Sequence, residues 1–369
     1  MKTWVELKWC KTCLAMSTRP RISFNELGQC NACVWRERKK NINWDERKSQ
    51  LASILNQARS KSFDFDCLIP VSGGKDGSYI SYKVKEEFGL NPLCVTVKPP
   101  LPLKIGEDNL VNFINSGYNH ISISPNPTVM QRINKAGLIH KGLPYFGWLT
   151  AIEAVPTRLA HQLGIGLVIY SEDGEIEYGG STETEQSPIY NSEYQKRVYL
   201  EGGHDEVIKS AGISAKERFF FDFPDSTDEI SIIHWSYFED WDPYRNYLVA
   251  KEKCGLQEAT GTNSGTFTNF AQNDQALYAL HTYIMYLKFG FGRANQDACI
   301  EIRRGAMDRS QAISLVNLYD GILPQEFIDL YLDYFEMSRS EFFEVLKSWT
   351  NKELFEVNGE TVKAKFTVI

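Results

Sequence analysis

The sequence predicts an α/β fold: a doubly wound parallel sheet, preceded by a small cysteine-bearing module and followed by a helical region. Three observations carry this expectation. From Asp66 to about Gly180, apolar runs of strand length alternate with helical segments, and strands spaced by helices of that length pair in parallel through right-handed crossovers. Ahead of that stretch stand two Cys-x-x-Cys pairs, Cys10/Cys13 and Cys30/Cys33, with 16 residues between them. Beyond Asp242 the pattern turns helical, with Pro243 at a first-turn position and capping boxes at Asp308-x-x-Gln311 and Ser338-x-x-Glu341.

A chain of 369 residues with 43% hydrophobic content has room for about two domains with real cores. No apolar stretch approaches about 18 residues and no basic-then-apolar leader opens the chain, so a cytoplasmic protein without a membrane anchor is expected. The net charge of −7 hides an asymmetry, since residues 1–62 hold 13 Lys/Arg against 5 Asp/Glu. The N-terminal piece is basic and the body acidic, which argues against a nucleic acid lying along the body.

In chain order, residues 1–40 read as a zinc ribbon. Each Cys-x-x-Cys turn sets two thiolates on one side of a Zn²⁺, and Cys10, Cys13, Cys30 and Cys33 together complete a closed tetrahedron with no open position for water. An iron–sulfur cluster, or no metal at all, is the alternative. Cys67, Cys94, Cys254 and Cys299 stand singly and read as buried apolar residues. Trp35 to Lys61 reads as one polar helix, its residues 41–62 linking the ribbon to the core, with Leu51, Ile54, Leu55 and Ala58 on one face.

Residues 63–181 form the expected sheet domain, with strands Cys67–Val71, Pro92–Val97, His120–Ser124 and Gly166–Ser171. The first strand breaks into Ser72-Gly73-Gly74-Lys75-Asp76-Gly77-Ser78 and then opens a helix. That is a phosphate cradle: the glycines allow close backbone approach, the free N–H groups of the helix start face an anion, and Lys75, Ser72 and Ser78 add a charge and hydroxyl donors. Its spacing is neither that of the mononucleotide P-loop nor Gly-x-Gly-x-x-Gly. The fourth strand ends in Glu172-Asp173-Gly174-Glu175-Ile176-Glu177-Tyr178-Gly179-Gly180. Carboxylates such as Glu172 and Asp173, at the sheet edge that carries the cradle, are what Mg²⁺ shared with a pyrophosphate needs.

Residues 182–240 show little periodicity and read as an insertion covering the site. Residues 241–369 read as a helical substrate and partner region. Within it, Asn269 suits sugar hydroxyls, while Lys288, Arg293, Arg303 and Arg304 suit phosphate or carboxylate.

The Ser72–Ser78 segment resembles S-G-G-x-D-S/G, the signature of the PP-loop ATP pyrophosphatases, whose sheet is of the HUP-like type. With the four-cysteine ribbon, V-S-G-G-K-D-G-S-Y at Val71 to Tyr79, E-Y-G-G at Glu177 to Gly180, K-F-G-F-G-R at Lys288 to Arg293 and Y-D-G at Tyr319 to Gly321, the whole chain resembles the N-acetyl sugar amidotransferases of O-antigen and nonulosonic acid biosynthesis. The resemblance implies ATP as co-substrate and conversion of an acetamido group, on a sugar or nucleotide sugar, into an acetamidino group. It implies that Ser72, Gly73, Gly74, Lys75, Asp76, Gly77, Ser78, Glu177, Gly179 and Gly180 hold the nucleotide, and that Lys75, Asp76, Glu172 and Asp173 serve catalysis. Where many relatives have serine this chain has Gly77, so Ser78 is expected to supply the hydroxyl. Neither Lys2 nor the surroundings of any cysteine offer a glutaminase nucleophile. Ammonia is therefore expected from a separate glutaminase with a cyclase-like, channel-forming partner. A PP-loop tRNA sulfurtransferase is the alternative enzyme, although it usually carries a further cysteine pair. A nonenzymatic zinc-ribbon scaffold is the third reading, weakened by the complete cradle.

Overall fold

The computed structural model describes residues 7–61, 64–224 and 229–369. Six strands form the central sheet: β1 (Cys67–Pro70), β2 (Pro92–Val97), β3 (Asn119–Ile123), β4 (Leu167–Tyr170), β5 (Ile189–Tyr190) and β6 (Ser231–His234), in the order β3-β2-β1-β4-β6-β5. The first four pairings are parallel and only the edge strand β5 runs antiparallel. Strand alternation sends Leu68, Leu93, Val95 and Val168 into one core and Cys67, Ile69, Cys94 and Ile169 into another. A sheet buried on both faces is thus doubly wound, as expected.

The helices are α1 (Asn31–Lys39), α2 (Trp44–Lys61), α3 (Lys75–Tyr82), α4 (Lys104–Asn115), α5 (Pro127–Lys141), α6 (Phe146–Gln162), α7 (Gly174–Tyr178), α8 (Ser192–Tyr194), α9 (Asp205–Ser210), α10 (Pro243–Cys254), α11 (Leu277–Phe289), α12 (Arg293–Arg304), α13 (Arg309–Tyr319), α14 (Ile328–Phe335) and α15 (Arg339–Trp349). One core joins the sheet to α5, α6 and α11, with Phe146, Ala151, Leu280 and Ile284 among its buried members. The other joins it to α2, α3 and α4 through Leu51, Leu55, Ile80 and Phe113. Both expected capping boxes close, Asp308 with Gln311 and Ser338 with Glu341. Pro243 occupies the first turn of α10, whose N-cap Asp242 accepts from the N–H groups of Tyr244 and Arg245.

Three expectations are corrected. Residues 182–240 are no mere insertion, because β5 and β6 within them complete the sheet. The expected helix from Trp35 to Lys61 is two helices, α1 starting directly after Cys30 and α2 at Trp44. The C-terminal region is not purely helical, since Phe355–Asn358 and Thr361–Ala364 form a hairpin around Gly359, whose φ is +62°. The N-terminal module packs on α12 and α13, where Leu14, Cys299, Ala312 and Val316 share one small core with the four paired cysteines.

Candidate active site

Strand order reverses between β1 and β4, and in an open α/β sheet a crevice lies outside the carboxyl ends of the strands at such a switch. A cavity of about 580 Å³ opens there, lined by Ser72 to Gly77 on one side and by Ser171, Glu172, Tyr178 and Arg293 on another. Gly73 turns the chain at φ +79°, and a Cβ on it would come within 2.5 Å of the Leu110 backbone. Only glycine fits there. Gly74 is the N-cap of α3 with no side-chain cap, so the first N–H groups of α3, beside the cavity, have no acceptor among the described residues. The strand, glycine turn and helix start that the sequence reads as a cradle are present.

Lys75 pairs with Asp76 at the start of α3, and Asn246 Nδ2 of α10 donates to Asp76 Oδ1 at 2.9 Å. Burial alone would lower the Lys75 ammonium, but Asp76 and Glu172 outweigh it and hold it above its ordinary range. Glu172 is pushed up to about 7, first by burial and then by the neighbouring Asp76, against the pull of Lys75. Two carboxylates and one ammonium therefore converge at the cradle. Hard oxygen ligands beside a phosphate site fit Mg²⁺, with Asp76 and Glu172 as the residues that would hold it.

Several expected site residues lie elsewhere. Ser78 is fully buried, off the cavity wall, and its hydroxyl has no partner among the described residues. Its hydroxyl does not reach the cavity wall, where it was expected. Gly77 lines the cavity instead, its Cβ position 3.2 Å from Val71 Cα, which leaves little room for a side chain. Asp173 points away from the cavity and caps α7, accepting from the N–H groups of Glu175 and Ile176 and from the Thr184 hydroxyl. Its contacts are those of a helix cap, and it is not among the residues that line the cavity.

The Glu177–Gly180 motif also leaves the cavity, apart from Tyr178. Glu177 accepts from Trp35 Nε1 at 3.0 Å and pairs with Lys39 Nζ at 2.7 Å, both on α1. Asn31 Nδ2 donates to the Gly180 carbonyl at 2.6 Å, and Gly179, at φ +88°, lets Ala32 pack close. Glu175 takes a bidentate grip from Arg21 at 2.7 and 2.8 Å. These residues clamp the cysteine module onto the turn that follows Glu172, and Tyr178 is left as the part that reaches the cavity.

In that module the sulfurs of Cys10 and Cys33 lie 3.7 Å apart, as do those of Cys13 and Cys30, and all four lie within 4.8 Å of one another. A tetrahedron with metal–sulfur bonds of about 2.3 Å has edges of about 3.8 Å. The four buried thiols therefore have the spacing of a closed tetrahedral metal site. Leu14 N donates to Cys299 Sγ at 3.3 Å, which places a fifth cysteine beside the cluster.

Of the expected substrate residues, only Arg293 lines the cavity, anchored by Asp297 Oδ1 at 2.8 Å. Lys288 donates to the Lys141 carbonyl and caps α5. Asn269 bonds within its own loop at Ala259, Arg303 donates to the Glu177 carbonyl, and Arg304 pairs with Glu301 and Asp242. Gly292 of the Lys288–Arg293 motif donates to Asp320 of the Tyr319–Gly321 motif at 2.8 Å, so these two motifs join α12 to the end of α13.

The sequence reading missed another part of the cavity wall. Trp148, Glu153, Asn273, Asp274 and Tyr278 line it. Tyr145, Trp148 and Tyr278 pack edge to face with centroids 5.4 to 5.9 Å apart. A signal was available in the aromatic spacing of Tyr145 and Trp148 at the start of α6, although nothing in the sequence joins it to Asp274.

Residues 264–367 match the family model described as the C-terminal domain of WbpG-like LPS biosynthesis proteins. Over 104 residues the chain is 30% identical to an uncharacterized protein of Methanocaldococcus jannaschii, MJ1599, spanning 28% of this chain and about 37% of that protein. Among solved structures, the U34-tRNA thiolase NcsA of Methanococcus maripaludis is similar at 12% identity and a TM-score of 0.34, covering 71% of this chain and 77% of that one. NMN synthetase of Francisella tularensis is similar at 11% identity and a TM-score of 0.28, covering 59% and 89%.

Proposed function

We propose that this chain is an ATP-dependent amidotransferase that converts an acetamido group of a sugar to an acetamidino group in LPS or related surface-sugar synthesis. The observation that carries the reading is the cradle at the switch point, with Lys75, Asp76 and Glu172 converging on a cavity that extends to an aromatic wall. The match of residues 264–367 to the WbpG-like domain supports the sugar end of the reading.

An amide carbonyl is a weak electrophile and its oxygen a poor leaving group. In the proposed reaction that oxygen attacks the α-phosphorus of ATP, pyrophosphate departs, and ammonia then displaces AMP from the carbon. The cradle's N–H groups and Lys75 stabilise charge on the departing pyrophosphate, and Asp76 and Glu172 are the candidate holders of Mg²⁺. The aromatic wall offers the methyl and ring carbons of the acceptor an apolar surface. Cys10, Cys13, Cys30 and Cys33 would hold Zn²⁺ in a structural role, since four thiolates leave no open position. Ammonia comes from a separate glutaminase and its channel partner.

None of the eight cysteines lines the cavity, so no observation favours tRNA thiolation, which needs a sulfur carrier at the activated base. The test is turnover of ATP with an acetamido sugar and ammonium. AMP and pyrophosphate are expected in step with a sugar product lighter by about one mass unit; ADP and phosphate would overturn the reading.

A further inference from the structure

A cavity built to take a polyanion should not leave a fixed carboxylate unpaired on its wall, since the two repel. Yet Asp274 stands there. The other acids of this cavity near the cradle and β4 have partners: Asp76 has Lys75 and Asn246, Glu172 has Ser171, and Glu153 accepts from Gln195 Nε2 at 2.6 Å. No charged group of the described residues pairs with Asp274.

Its backbone is fixed. Leu103 N donates to the Asp274 carbonyl at 3.1 Å, Pro102 bridges to Gln275, and Ala276 N donates to the Leu101 carbonyl. Gly106 in the first turn of α4 lies so close that a Cβ there would meet Asp274 Cα at 2.4 Å. The segment between β2 and α4 thus pins the backbone at Asp274, near Tyr278 of the aromatic wall. A carboxylate that lines the cavity, with no cation beside it among the described residues and only its own backbone N–H donating to it, is placed to receive a cation.

We propose that Asp274 is the ammonium site and general base of the second half-reaction. This rests on the amidotransferase reading. Asp274 accepts one proton from ammonium and leaves ammonia with a free electron pair at the activated carbon. A C–N bond forms, one nitrogen proton passes to the sugar nitrogen, and the C–O bond to the adenylyl group breaks with its electrons leaving on AMP. Two protons stay on the new nitrogen, the product is an amidinium cation, and the proton held by Asp274 goes to solvent. The anionic carboxylate then faces that cation.

Burial pushes Asp274 up to about 7, a range suited to taking a proton near neutrality. The titratable and charged groups around it are Tyr278 and Tyr145, with Arg293 beyond them and Glu107 on α4 at the cavity rim.

The test separates the two halves. With an acetamido sugar and no nitrogen source, exchange of labelled pyrophosphate into ATP reports adenylation. Asp274→Asn should keep this exchange within about 3-fold and lose at least about 100-fold in ammonium-dependent amidine formation. Hydroxylamine, mostly unprotonated at pH 7, should restore turnover to the variant as the amidoxime, and Asp274→Glu should keep part of the ammonium reaction. An unchanged ammonium rate, or equal loss of exchange and amidination with no hydroxylamine rescue, overturns the assignment. Absence of pyrophosphate exchange in the unaltered protein would instead count against the amidotransferase reading itself.

Discussion

At the scale of single residues, the cavity concentrates acids whose protonated form the fold prefers. Glu153 is the clearest, because its place in α6 is buried and its one hydrogen-bond partner among the described residues, Gln195 Nε2, can serve a neutral acceptor equally well. Burial pushes it from 4.5 up to about 7. The sign follows directly: the folded chain binds this proton more tightly than the unfolded one, so stability is undiminished below about 4.5 and falls as pH rises through about 7. Glu153→Gln removes the ionisable group while keeping its shape and its hydrogen bond. The nucleotide-free variant should therefore match the unaltered protein in thermal melts at pH 4.5 and exceed it at pH 8, by on the order of 2 kcal/mol. Equal melting temperatures at pH 8 would show that the carboxylate is compensated there. Residue type alone gave no hint of this, since Ala151-Ile152-Glu153-Ala154 reads as an ordinary helix turn until the fold buries it.

At the scale of elements, the legible parts are those whose signal is local. A strand, two glycines and a helix start lie within about ten residues, and each constrains the next, so the cradle was readable residue by residue. The cysteine spacing was readable for the same reason. What the spacing could not give was direction: Glu177, Gly179 and Gly180 carry the composition of a binding turn, yet they face α1 and hold the cysteine module. Lys39 is 4% exposed and pairs with Glu177, a buried ion pair whose loss on one side strands a charge. Lys39→Met should thus destabilise the fold by about 3 kcal/mol, and the double variant with Glu177→Gln should regain most of it. Denaturant melts with metal analysis check both points. One zinc per chain is expected in every variant, because all four thiols remain; iron in the unaltered protein would revive sulfur chemistry, and a double variant as weak as the single would remove the ion-pair account.

At the scale of the whole molecule, the doubly wound sheet was legible because burial on both faces writes itself into continuous apolar runs, whereas β6 is four residues long and follows no readable helix. The aromatic wall was not legible, for it joins residues 145–153, at the N-cap of α6 and within it, to 273–278 before and within α11, and no local pattern records that meeting. Charge behaves likewise. Of the Lys and Arg in the basic first 62 residues, Arg21, Arg36, Arg38 and Lys39 pair with Glu175, Asp240, Glu185 and Glu177 of the body. Much of the asymmetry holds the chain to itself. All eight cysteines are buried and unpaired by disulfides. A glutaminase thiol must reach the side-chain amide of glutamine and a base that activates it, and a thiol closed off in a core or in a four-sulfur cluster can do neither. The purified chain should accordingly make amidine from ammonium and none from glutamine, and adding a glutaminase with its channel partner should make glutamine as effective as ammonium. Mass spectrometry of the sugar product under the two nitrogen sources decides it: amidine formed from glutamine by this chain alone would remove the need for a partner and require a hydrolytic site that no cysteine here provides.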